Sequence, residues 1–136
     1  MKLKEIVSTY KLLGEAKVMN LTEEEVLTIV IARKKMRALA MEYDEYLKDV
    51  QDKFRPDNFD ELVIKAQNWD ELSKEEQQSI SNQLKAYEKK VNNIVKEELN
   101  KIVEIEIQPL SEECLAKLIK MNGWSINKID ELSAVL

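Results

Sequence analysis

Histidine is absent from all 136 residues, and with it the commonest general base and the commonest metal ligand. Ser-His-Asp and Cys-His catalysis are excluded on that count alone. Glycine and proline are nearly as scarce, with Gly14 and Gly123 against Pro56 and Pro109. An all-β chain needs a turn signal roughly every eight to twelve residues, so that class is ruled out. Isolated glycines also cannot form a P-loop or a dinucleotide fingerprint, because both need clustered glycines to bring backbone amides onto phosphate. The single cysteine, Cys114, has no partner for an internal disulfide. No apolar run approaches the roughly 18 residues of a membrane span. The opening MKLKEIVSTY lacks the continuous apolar core of a signal peptide, so a cytoplasmic location is expected.

What is present is a chain 44% apolar and 35% charged, too hydrophobic for a disordered tail and suited to long, solvated helices. Its length fits one domain, 1–136. A formal charge of −5 repels nucleic acid and anionic membrane at long range, so neither is expected as a partner. A protein partner or self-association is expected instead.

Local signals divide the chain into elements. Met1 to Lys4 alternates like a short strand, and Ile6, Val7, Tyr10, Leu13 and Ala16 then recur at helical spacing, predicting a helix over 5–18. Thr22-Glu23-Glu24-Glu25 is a capping box that opens a helix at 23, and Pro56 stops that helix near Phe54. Asn58 precedes a short amphipathic helix at 59–69. Ser73-Lys74-Glu75-Glu76 is a second capping box, opening a helix at 74–101. Val103-Glu104-Ile105-Glu106-Ile107 alternates with period two and predicts a strand, whose partner is either the N-terminus or another chain. Ser111 and Ser125 open helices at 112–121 and 126–134, the first closed by Asn122-Gly123.

The expected fold is mainly α: a long antiparallel helical hairpin projecting from a small head of short helices, with a minor β element. The head takes about 1–35 and 92–136, and the helical stalk about 36–91. With Phe54 near Lys74, equal rise along the hairpin sets Tyr43 level with Tyr87. From Val26 to Ala32 only Thr28 is polar, so this stretch should be enclosed, by the terminal helices or by a second subunit.

The acidic groups Glu23-Glu24-Glu25, Glu75-Glu76 and Glu112-Glu113 lie at helix starts, where capping and the macrodipole explain them without catalysis. No catalytic residue, cofactor or metal is expected, and the chain reads as a non-enzyme. Cys114 reads as a small buried apolar residue rather than a thiolate. The candidate interaction residues are Arg33, Lys34 and Arg37 in the one dense basic cluster, and Glu104 and Glu106 on the predicted strand. Arg33 and Arg37 should share a face, with Lys34 pointing elsewhere. A nucleic-acid-binding regulator using 33–37 is the alternative to a protein-interaction module.

Three features in order, the MKLKEI opening into a helix, the charged helical middle and the segment EELNKIVEIEIQPLSEECLAKL, resemble a family of small uncharacterised proteins encoded by tailed phages and prophages. The resemblance implies a phage accessory or assembly role with no known active site, so no functional residues carry over.

Overall fold

Side-chain caps set where the main helices begin. Thr22 Oγ1 accepts the Glu25 N–H at 3.2 Å, and Glu25 Oε1 accepts the Thr22 N–H at 3.0 Å, which closes the expected capping box. Ser73 Oγ accepts the Glu76 N–H at 3.2 Å, Ser111 Oγ that of Cys114 and Ser125 Oγ that of Lys128. In the computed structural model, which describes residues 1–136, six helices result: α1 (Leu3–Gly14), α2 (Glu23–Phe54), α3 (Phe59–Gln67), α4 (Lys74–Leu99), α5 (Glu112–Asn122) and α6 (Ile126–Ser133). A single 3₁₀ turn, Trp69–Glu71, lies between α3 and α4. None of the helices is long and apolar enough to cross a membrane.

The two expected strands do not form. The chain enters α1 at Leu3, where the Glu5 carboxylate accepts the Lys2 N–H at 3.0 Å. That leaves only Met1 and Lys2 extended, enough for one antiparallel bridge between Lys2 and Ile102. Its bonds run from Leu3 N–H to the Lys101 carbonyl and from Val103 N–H to the Met1 carbonyl. Residues 103–107 therefore have no neighbouring strand to pair with, and remain irregular. Their alternation survives all the same: Val103, Ile105 and Ile107 pack on the core while Glu104 and Glu106 face solvent.

The chain divides into two compact units, Met1–Asp44 with Leu99–Leu136, and Glu45–Glu98. In the first, Ile6, Leu13, Ile29, Met36, Cys114 and Leu118 form the centre of one apolar cluster. α1 packs on α6, where the buried Thr9 hydroxyl donates to the Glu131 carbonyl at 3.3 Å. The segment after α1 is held by Asn122, whose Oδ1 accepts the Lys17 N–H at 2.7 Å and whose Nδ2 donates to the carbonyls of Lys17 and Leu118. Gly123 ends α5 at φ 59°, donating its N–H to Ile119.

In the second unit, α3 lies antiparallel along the first turns of α4. Asn58 donates to Gln83 at 3.2 Å, while Leu62 and Ile80, and further along Lys65 and Glu76, face one another across a small cleft. The end of α2 consequently meets α4 well beyond Lys74. Tyr87 donates its hydroxyl to the Gln51 carbonyl at 2.9 Å, its ring packs on Phe59 with centroids 5.5 Å apart, and Lys90 sits over Phe54. The register predicted from equal rise is off by several turns, because it set Phe54 beside Lys74 across a short connection, whereas α3 takes up the first turns of α4 and Phe54 lies by Lys90.

Candidate functional site

The inner side of α2 in the first unit is fixed by Ile29, Ala32, Met36 and Ala40, all buried. At the seam between that side and solvent, the Arg33 guanidinium stacks 4.4 Å from the centroid of the Tyr10 ring. It also closes on the end of α1, where a Cβ on Gly14 would lie 3.0 Å from Arg33 Nη2. Arg33 Nε is buried there with no hydrogen-bond acceptor. Arg37 and Lys34 are exposed beside it, and the three cations with Tyr10 and Val30 line an open groove of about 290 Å³. The expectation that Lys34 points elsewhere is corrected: at about 100° per residue Lys34 lies about 60° from Arg37, well within reach of a long side chain. None of the three joins an ion pair.

The same side of α2 carries Leu27, Val30, Ile31 and Met41, which are 57%, 51%, 45% and 49% exposed. The terminal helices therefore enclose Ile29 and Ala32 of the apolar stretch, at 4% and 2%, and leave Leu27, Val30 and Ile31 exposed. The terminal helices cover one side of α2 and leave the other bare. Leu27, Lys34 and Met41 recur every seven residues, with Val30 and Arg37 three residues after the first two. Together they form one continuous seam of apolar, apolar, cation, cation and apolar side chains.

Glu104 and Glu106 do not join that groove. The backbone of 106 is tied to α2 through Lys35, whose ammonium donates to the Glu106 carbonyl at 3.1 Å. The two carboxylates stay exposed on an irregular segment.

A second concavity, about 460 Å³, lies where the starts of α2 and α5 face each other, lined by Thr22, Glu25, Ser111, Cys114 and Lys117 among others. Lys117 donates to Glu25 Oε1 at 2.8 Å. That bond and the Thr22 N–H hold the Glu25 carboxyl down at about 2, and Glu25 in turn raises Lys117. Burial, and then the Glu25 charge, push the Cys114 thiol up, the reverse of what a reactive thiolate needs. The carboxylate here is committed to a cap and an ion pair. Nothing local in the sequence announced Lys117, which stands 92 residues from Glu25. Comparison with protein-family models, with curated proteins and with solved structures gave no match to this chain.

Proposed function

We propose that this chain is a non-enzymatic protein-interaction or assembly module, cytoplasmic and of the phage or prophage accessory kind. The observation that carries the reading is the bare side of α2, where four large apolar side chains at helical spacing face solvent next to three unpaired cations. Scattered apolar residues are ordinary on a surface, but several large ones gathered on one side of a single helix mark a contact. In this reading α2 and α4 pair antiparallel as a hairpin.

The test is a capture experiment with the products of neighbouring genes, comparing the natural chain with a Leu27→Ser/Ile31→Ser variant of unchanged helical content. A defined partner retained by the first and lost by the second is the expected result. Equal capture by both counts against the reading. The three cations also favour a second reading, a nucleic-acid-binding regulator, which a gel-shift at two salt concentrations separates from the first. Phosphate contacts would give a steep loss of affinity with salt, abolished by Arg37→Ala and Lys34→Ala together.

A further inference from the structure

We propose that the bare side of α2, from Leu27 to Met41, docks an acidic amphipathic helix of another protein; this rests on the interaction reading above and names the class of partner. The fourteen steps from Leu27 to Met41, at about 1.5 Å rise each, make a stripe about 21 Å long, about four helical turns. A helix laid along it would present its own seam, and the order of residues on α2 dictates the complement: apolar, apolar, acid, acid, apolar. The acids in the middle meet Lys34 and Arg37. Beside them, the groove walled by Tyr10 and Val30 takes a carboxylate side chain against the Arg33 guanidinium.

Charge chooses this occupant over the others. A two-fold pairing of α2 with its own copy, centred on the stripe, would set Lys34 against Lys34 in the middle of the contact. A nucleic acid would press four apolar side chains, Leu27, Val30, Ile31 and Met41, against phosphate. A membrane-surface helix keeps its cations on the flanks of the apolar stripe, whereas Lys34 lies on the line joining Leu27 to Met41 and would be driven among the acyl chains. An acidic seam is the one surface that satisfies the apolar ends and the cationic centre together.

The test uses two labelled 18-residue helical peptides, identical except that the two central seam positions are Glu in one and Lys in the other. Fluorescence anisotropy on the full chain should show the Glu peptide binding at least tenfold more tightly, with the gap shrinking as salt rises. Lys34→Glu/Arg37→Glu should reverse the preference while leaving the helical spectrum unchanged. Equal binding of the two peptides would overturn the acidic class, and if Leu27→Ser/Ile31→Ser weakened both alike the interaction surface would still stand. Binding of neither peptide overturns the proposal. So does tighter binding of a DNA duplex or of anionic phospholipid vesicles, or a dimer that Leu27→Ser dissolves.

Discussion

At Glu25 one carboxylate oxygen serves two donors, the Thr22 N–H and the Lys117 ammonium, and its carboxyl is held near 2 against an ordinary value of 4.5. A carboxyl whose folded value is depressed adds stability that is complete above the unfolded value and disappears as pH falls through the folded one. Urea midpoints should therefore decline between about pH 4.5 and pH 2, and Glu25→Gln should flatten that part of the profile. An unchanged slope in the variant would remove Glu25 from the account. Gly123 is a second position where one residue decides locally. With φ 59° and nothing within 4 Å of where a Cβ would stand, Gly123→Ala meets no clash and pays only for the left-handed backbone. Denaturant titration should show a loss of about 1 to 2 kcal/mol, with Gly123→Asn losing less.

Two isoleucines two residues apart on α2 test the element. Ile29 is buried in the core and Ile31 faces solvent. Ile29→Asp should unfold the first unit, since a buried, unpaired carboxylate costs several kcal/mol. Ile31→Asp should change stability by about 0.5 kcal/mol or less, because the charge stays in water. Thermal melts by circular dichroism separate the two, and a similar loss for both would mean that the outer side of α2 is covered. The ends of α2 were legible in the sequence because they are local chemistry: Thr22 and Glu25 cap it and Pro56 stops it. The bare side was not, because a run of Val, Leu and Ile records that a surface wants cover without saying whether this chain supplies it. The strand at 103–107 failed for a related reason. Period-two alternation describes how side chains fall on a surface, and here the core supplies the surface without a second strand. In the same way, Arg33 and Arg37 could be placed from spacing, whereas Tyr10, which stacks on Arg33 and walls the groove, comes from another helix with no sequence signal linking them.

For the whole molecule the division into two units matters most. The chain leaves the first at Asp44 and returns at Leu99, and each unit has buried apolar residues of its own, Leu118 and Met36 in one, Leu62 and Ile80 in the other. Leu62→Ala should cost roughly 2 to 5 kcal/mol of local stability. Hydrogen exchange should then accelerate through 45–98 while the amides of α1, α5 and α6 keep their protection. Acceleration spread evenly over all six helices would show one cooperative unit instead. The net charge of −5 is also a whole-molecule property, and on its own it argues against an anionic partner. The unpaired Arg33, Lys34 and Arg37 show how a local arrangement can reverse that sign on one side of one helix.

The grip of Asn122 on Lys17 has a consequence for how the molecule ages. An asparagine followed by glycine is the pair most prone to lose ammonia, since the unhindered glycine nitrogen attacks the side-chain amide and leaves an acid in its place. Here that nitrogen is occupied with the Ile119 carbonyl, and the amide is held between Lys17 and Leu118, so the folded chain keeps the two reactants apart. Once converted, the acid can no longer donate to the Lys17 and Leu118 carbonyls, and the segment it clasped is released. Damage at 122 should thus accumulate with time spent open rather than with time elapsed, and mass spectra of samples stored with and without urea would read this residue as a record of past unfolding.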